Sequence, residues 1–178
     1  MRIAEFNRLS ENAAANTLMH CCHSHKWVAR MLAERPFADI QAMLQNATSC
    51  WTDIDDSDLL EAFSGHARIG DLDQLRDKYS RAHAEQGQVA AADDSVLRAL
   101  YELNLDYEKR NGFIFIVCAS GKSAEAMLAI LKQRLPNTRA QELKNAAAEQ
   151  DKITAIRLRA LFADEAALEA KSTEGIST

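Results

Sequence analysis

The chain has 178 residues, with 21 Lys plus Arg against 26 Asp plus Glu and a formal net charge of −5. This length is typical of one domain with a core large enough to support an active site, and the acidic balance argues against nucleic acid, which is bound by neutralising phosphates. The sequence contains no run of about 18 apolar residues, the length needed to span a membrane, and its first residues lack the apolar core of a secretory signal. We therefore expect a cytoplasmic protein with neither nucleic-acid nor membrane partners. Adjacent Cys21 and Cys22, with Cys50 and Cys118, suggest free thiols rather than a disulfide framework.

Helical periodicity dominates the chain, and capping residues, Gly and Pro mark the helix ends. Eight helices are predicted: one from Ser10 through Thr17 and Leu18, one over about 23–34 before Pro36, one after Asp39 with Ile40, Met43 and Leu44 on one face, 58–63 ending at Gly65, 71–86 before Gly87, one from Asp93 or Asp94 to Gly112, one carrying Leu128, Leu131 and Leu135 before Pro136, and 138–162. The predicted fold class is all-α, a single-domain bundle of about eight helices over residues 1–178, with a frayed tail at 171–178.

Three of these predictions rest on specific signals. Gly65 is expected to end its helix because a positive φ costs glycine nothing. In the helix after Asp94, a stripe of apolar side chains at helical spacing predicts the buried face: Val96, Leu100, Leu103 and Tyr107. Thr138 and Gln141 have the spacing of a capping box at the start of the last helix.

The segment Phe113–Ala119 does not fit the helical pattern. It is apolar, aromatic and β-branched, as in a buried strand, but nothing else in the sequence offers it a strand partner. We expect an extended segment held between helices, whose backbone groups need partners that a ligand could supply; a plain buried connector is the alternative. Gly121-Lys122-Ser123 looks like the end of a phosphate-binding loop, but Ile116 stands where that motif needs glycine, so we reject a nucleotide site.

The histidines are the natural candidates for acid–base chemistry near neutral pH. His20, His23 and His25 cluster beside Cys21 and Cys22 and could supply part of a zinc site, but a fourth ligand is missing, so we expect solvated or capping histidines at a helix end. His83 is expected on the surface of its helix. His66 follows Ser64-Gly65 at a helix end, where a turn can direct a side chain into a cleft.

Four sequence features in this order resemble the 2-oxo-4-hydroxy-4-carboxy-5-ureidoimidazoline (OHCU) decarboxylase family, over roughly Glu11 to Phe162: Ser64-Gly65-His66-Ala67-Arg68-Ile69-Gly70-Asp71, Glu85-Gln86, Gly112–Ala119, and Arg157 within Lys152-Ile153-Thr154-Ala155-Ile156-Arg157-Leu158. The resemblance implies decarboxylation of OHCU to (S)-allantoin and CO2 in urate breakdown. It also implies that no cofactor or metal takes part, and that the chain is a homodimer.

The resemblance also assigns site residues. It implies that His66 and Glu85 are catalytic, with His66 as general acid/base and Glu85 orienting it or binding the ureido group. It further implies a set of substrate-binding residues: Ala67, Gln86, Phe115, Ile116, Val117, Cys118, Ala119 and Arg157. Spacing alone does not choose Arg157 over Arg159, since either could be an amphipathic rim residue.

Two positions depart from the family pattern. Ala67 stands where the family usually has proline, and Ala82 stands where a serine usually precedes the Glu-Gln pair. Neither change removes an ionisable group, so we expect the activity to be retained with altered affinity. Without the resemblance, a helical interaction module that docks a partner on segment 113–119 is the main alternative; a metal-dependent hydrolase is the third.

Overall fold

The computed structural model describes residues 1–66 and 94–163. The chain divides into two compact units, Met1–Gly65 with Ala148–Thr178, and His66–Ala147. The predicted helix 71–86 and the predicted tail 171–178 lie outside the described residues, as do Ala67, Ala82, His83, Glu85, Gln86 and Asp93.

The described residues form eight helices and no strand, which confirms the all-α prediction. Their bounds are α1 Ile3–Arg8, α2 Glu11–Cys21, α3 His25–Ala33, α4 Ile40–Ser49, α5 Asp56–Ser64, α6 Asp94–Asn111, α7 Ala124–Arg134 and α8 Arg139–Leu161. Of these helices, none combines the length and apolar character needed to cross a bilayer.

Side-chain caps set the helix starts in the first unit. The hydroxyl of Ser10 accepts from the N–H of Ala13, as predicted. The carboxylate of Asp39 accepts from the N–H of Ala42, and α4 begins after Asp39 as predicted. The start predicted near 23 for α3 is wrong by two residues because the Ser24 hydroxyl provides the cap. The start predicted at 58 for α5 is also wrong, since Asp55 provides the cap and α5 begins earlier, at Asp56.

The core of the first unit is built on aromatic side chains. Trp27 is fully buried, and its Nε1–H donates to the carbonyl of Ala47 at 3.0 Å. The ring of Phe6 packs against the rings of Phe37 and Phe162, with centroids 6.2 and 5.9 Å apart. Phe6 belongs to α1, which was not predicted because six residues are too few to show a helical period.

The second unit is built on α6 packed against α7. Of the predicted α6 stripe, Leu100 and Tyr107 are buried, whereas Val96 and Leu103 are half-buried. Gly112, with φ of +76°, ends the helix as predicted. In Gly121-Lys122-Ser123, glycine takes a turn with φ of +71° and the Ser123 hydroxyl caps α7 through the N–H of Ala126. The sequence that looked like a phosphate loop is a helix start.

The long helix α8 begins as predicted, with the Thr138 hydroxyl accepting from the N–H of Gln141 at 3.3 Å. It ends at Leu161, one residue before the predicted end. Buried residues recur every fourth position along it and into the following turn, and half of them are polar: Glu142, Ala146, Gln150, Thr154, Leu158 and Phe162.

Candidate active site

His66 lies immediately after α5 and is half-buried. Within the first unit, ion pairs join α5 to α3. The ammonium of Lys26 lies 2.6 Å from a carboxylate oxygen of Asp58, and Glu61 accepts from both the backbone N–H and the ring of His25. The hydrogen bond from His25 is the main reason that the pKa of Glu61 is lowered. The helix that leads to His66 is therefore fixed at two points against α3.

Gly65 is required for a reason other than the predicted one. Its φ is −74°, so the expectation of a positive φ is wrong. A Cβ at this position would instead lie 2.3 Å from the Cβ of His23, closer than side-chain carbons approach one another. Gly65, in the turn before His66, therefore packs directly against the Cβ of His23, and only glycine fits there.

The histidine and cysteine cluster does not converge. The ring of His20 bonds to the carbonyl of Asn16 on its own helix, whereas His25 faces Glu61. Within residues 1–66 and 94–163, no group of three or more His, Cys, Asp or Glu side chains is arranged to hold a metal ion. Burial raises the pKa of the Cys21 thiol to about 11 and that of Cys22 to about 12, although Arg157 lowers both. With these raised pKa values, both sulfurs are neutral thiols at physiological pH and weak nucleophiles in the metal-free protein.

Arg157 lies on α8 and is half-buried in the first unit. Its Nη1 donates to the carbonyl of Cys21 at 3.0 Å, at the C-terminus of α2, where helical carbonyls have no partner within the helix. One turn earlier on α8, the buried hydroxyl of Thr154 accepts from Gln150 and bonds to the Cys22 thiol. The bond to Cys21 orients the guanidinium of Arg157, whereas Arg159 is exposed.

The segment Phe113–Ala119 belongs to the second unit, and Ile114–Ala119 form no regular secondary structure. The rings of Phe113 and Phe115 both pack edge-on against the ring of Tyr107, with their centroids 5.9 and 5.3 Å from the Tyr107 centroid. Side chains of the protein bind two of its carbonyls: Nη1 of Arg134 donates to Ile116 at 2.8 Å, and Nζ of Lys122 donates to Cys118 at 2.6 Å. The sequence analysis suggested that a ligand could bind the backbone groups of this segment. For these two carbonyls, side chains of the protein are the partners instead.

A buried polar cluster lies behind this segment, formed by Tyr107, Arg134 and Glu142. The side chains of Arg134 and Glu142 are 10% and 0% exposed, and Nε of Arg134 lies 2.7 Å from Oε2 of Glu142. Nη2 of Arg134 donates to the hydroxyl of Tyr107, which in turn donates to Oε2 of Glu142. The guanidinium also lies over the ring of Phe115, 4.8 Å from its centroid.

Glu142 has a full set of donors. Besides Arg134 and Tyr107 at Oε2, the amides of Asn137 and Asn145 both donate to Oε1 at 2.7 Å. Burial by itself raises the pKa of Glu142, but these four hydrogen bonds outweigh it and hold the pKa below its usual value. The pKa of Tyr107 is raised, chiefly by burial and then by its hydrogen bond to Glu142. The cluster is a carboxylate, a guanidinium and a neutral phenol at physiological pH.

Arg134 and Glu142 were missed by the sequence reasoning, although a signal was present. Arg134 comes three residues after Leu131 on α7, which places a charge on the face that the leucines predict to be buried. A charged side chain on a buried face needs an opposite charge. Only the structure identifies that partner, across the break at Pro136.

The sequence profile described as OHCU decarboxylase matches residues 7–159. The chain belongs to the OHCU decarboxylase family. It is 36% identical to the uric acid degradation bifunctional protein TTL of Arabidopsis thaliana over 150 residues, covering 82% of this chain but 46% of that protein. It is 24% identical to the OHCU decarboxylase of Haloferax volcanii over 170 residues, covering 93% of this chain and 98% of that one.

Solved structures agree with the family assignment. A crystal structure of OHCU decarboxylase in the presence of (S)-allantoin superposes with a TM-score of 0.67 at 36% identity, covering 82% of this chain and 96% of that chain. A crystal structure of (S)-allantoin synthase shares the fold with the same TM-score at 18% identity, covering 90% of this chain and 54% of that one. The chain thus spans about half the length of the plant bifunctional protein and nearly the full length of the Haloferax volcanii decarboxylase.

The predicted site residues fall into three groups by their location in the chain's two units or outside the described residues. Arg157 lies in the first unit. His66 and the segment Phe115–Ala119 lie in the second, and Arg134 and Lys122 bind the carbonyls of that segment. Ala67, Glu85 and Gln86 lie outside the described residues.

Proposed function

We propose that the chain is a carboxy-lyase that converts OHCU into (S)-allantoin and CO2 without a cofactor. The observation that carries the proposal is the family match over residues 7–159, which includes the motif containing His66. Relatives named OHCU decarboxylase and a related structure determined in the presence of (S)-allantoin support the same substrate and product.

The substrate explains why no cofactor is needed. OHCU carries a carboxylate and a hydroxyl on one ring carbon, beside a C=N bond. When the bond to the carboxylate breaks, its electron pair forms a C=C bond to the neighbouring ring carbon, the C=N π pair moves onto the imine nitrogen, and that nitrogen gains a proton. The planar intermediate then loses its hydroxyl proton as the neighbouring carbon is protonated. The ring is its own electron sink, so the protein has to position the substrate and move protons.

The proposal assigns those protons to His66. An imidazole is suited to both steps because its ordinary pKa lies near neutrality, and such proton transfer contributes roughly 10²–10⁴-fold in rate. Glu85 would orient the imidazole or bind the ureido N–H groups. Delivery of the last proton to one face of the planar intermediate would make the product (S)-allantoin rather than a racemate.

Arg157 and the backbone of Phe115–Ala119 would bind the substrate, with Gln86 and Ala67. A guanidinium has five N–H donors, and the carbonyl of Cys21 takes one of those on Arg157. The same side chain can therefore bind a substrate carboxylate or ring oxygen with its remaining donors. Its bond to Cys21 supports this role because it restrains a long side chain before substrate arrives.

The test is circular dichroism of allantoin formation, with OHCU generated in situ from urate by urate oxidase and hydroxyisourate hydrolase. Wild type is compared with His66→Ala, with His20→Ala and with no added protein. His20 is a matched control because it is exposed and bonds to its own helix. We expect a rapid (S)-allantoin signal from wild type and His20→Ala, and a rate lower by roughly 10²–10⁴-fold in His66→Ala.

Two results would contradict the proposal. A wild-type rate equal to the slow racemic background would remove the activity and favour an interaction module. Full activity in folded His66→Ala would remove the assigned role of the histidine.

We also propose, on the resemblance alone, a homodimer that acts in the cytoplasm. Light scattering after size exclusion tests the dimer, and a mass of 19.8 kDa would refute it.

A further inference from the structure

The contacts behind the segment Phe113–Ala119 involve two residues outside the four sequence features that resemble the family, Arg134 and Lys122. We propose that Arg134 and Lys122 are positioning residues, which hold the N–H groups of Val117 and Ala119 in the direction needed to bind substrate. The inference rests on the proposed function, because it takes this segment as part of the substrate site.

Peptide geometry sets the direction of the N–H groups in the segment. The peptide bonds of the segment are trans and planar, so each C=O points opposite to the N–H of the next residue. The carbonyl of Ile116 points to the guanidinium of Arg134, and the carbonyl of Cys118 points to the ammonium of Lys122. The N–H of Val117 therefore points away from Arg134, and the N–H of Ala119 points away from Lys122.

Burial alternates along the segment from Ile116 to Ala119. Ile116 and Cys118 are buried, whereas Val117 and Ala119 are half-buried. The residues whose carbonyls are bound by cations are thus the inner ones, and the residues that present the opposite N–H groups are the more accessible ones. Two donors held in this way match oxygens of an anionic or ureido-bearing substrate such as OHCU.

The buried cluster fixes the direction of Arg134 itself. Glu142 holds Nε, Tyr107 accepts from Nη2, and the ring of Phe115 lies under the guanidinium. Only a planar fork with donors on three nitrogens can meet Glu142, Tyr107 and Ile116 at once. A lysine at this position would keep the charge for Glu142 and lose the fixed bond to the segment.

The experiment compares Arg134→Lys and Lys122→Met in the full chain with matched controls. The controls are Arg110→Lys and Lys132→Met, which change exposed residues of the same two types on α6 and α7. Steady-state kcat and KM are measured by the circular dichroism assay. In parallel, hydrogen exchange of residues 114–119 is measured by mass spectrometry in the substrate-free protein.

We expect KM to rise roughly three- to tenfold in each of the two variants, which corresponds to the net contribution of about one hydrogen bond. The kcat should stay within about twofold, since looser donors weaken ground-state and transition-state binding alike. Exchange should accelerate in residues 114–119 in both variants, and in Lys122→Met it should be unchanged in α6 and α8. The control variants should match wild type in all three measurements.

Folded Arg134→Lys and Lys122→Met with the KM and exchange of their controls would overturn the inference and leave the proposed function intact. If Arg134→Lys shows no cooperative unfolding transition, Lys122→Met decides, because it alters a half-buried residue in a turn; a wild-type KM there overturns the inference. A wild-type protein without activity would refute the proposed function, and this inference with it.

Discussion

Replacing Glu142 by glutamine is the sharpest test of the buried cluster, because it keeps the shape of the side chain and removes its charge. The carboxylate is fully buried and accepts from Arg134 and Tyr107 at one oxygen, and from Asn137 and Asn145 at the other. A glutamine has one oxygen and one NH2 group. Whichever way the amide is turned, its NH2 group faces two donors, and Arg134 loses its counter-charge.

The expected loss follows from these contacts. Breaking a buried ion pair by removing one partner costs about 3–5 kcal/mol, and we expect Glu142→Gln to lower the free energy of unfolding by that amount at pH 7. Adding Arg134→Met to Glu142→Gln should recover part of the loss, because the double variant leaves no unpaired charge. The expected coupling energy is about 2 kcal/mol.

The assay is urea unfolding followed by far-ultraviolet circular dichroism, with Glu102→Gln as the control on an exposed position of α6. The pH dependence has a definite sign. Because the pKa of Glu142 is lowered in the folded state, its contribution is present above the ordinary pKa of 4.5 and is lost as the pH falls through the lowered value. The gap between wild type and Glu142→Gln should therefore narrow in acid. A loss below about 1 kcal/mol at pH 7, or a gap that widens in acid, would refute the reasoning.

Two further predictions concern the first unit. Gly65→Ala should lower stability by about 1–3 kcal/mol, because its Cβ would overlap the Cβ of His23; in a double-mutant cycle His23→Gly should relieve the strain and His23→Ala should not, and equal effects would contradict the contact. Because the pKa values of Cys21 and Cys22 are raised to about 11 and about 12, alkylation by iodoacetamide at pH 7.5 should be far slower than for a free thiol and should reach the free-thiol rate in urea. Rapid alkylation of either thiol in the folded protein would show that these pKa values are not raised.

The helix ends show where sequence patterns were informative and where they were incomplete. The helix starts at Ser10 and after Asp39 were correctly predicted because a cap depends on a side chain and a backbone N–H only a few residues apart. Gly65 was correctly placed at a helix end but for the wrong reason. Position 65 requires glycine because a Cβ there would overlap the Cβ of His23, which is far away in the chain. The motif at His66 and the arginine at 157 were found by resemblance. Arg134 was missed because its partners Ile116, Tyr107 and Glu142 are distant in sequence or lie beyond the break at Pro136.

The sequence by itself determined the all-α class, most helix boundaries, the family and the residues proposed for its chemistry, because these depend on local periodicity, capping and motifs of adjacent residues. Only the tertiary structure decided what surrounds those residues: the bond between Arg157 and Cys21, the contact of Gly65 with His23, and the cations that bind the carbonyls of segment 113–119. The physical reason is that a hydrogen bond or a steric contact acts over a few ångströms of space, whereas its two partners can be separated by any length of chain. A residue type at one position therefore limits which partners are possible, and packing selects among them.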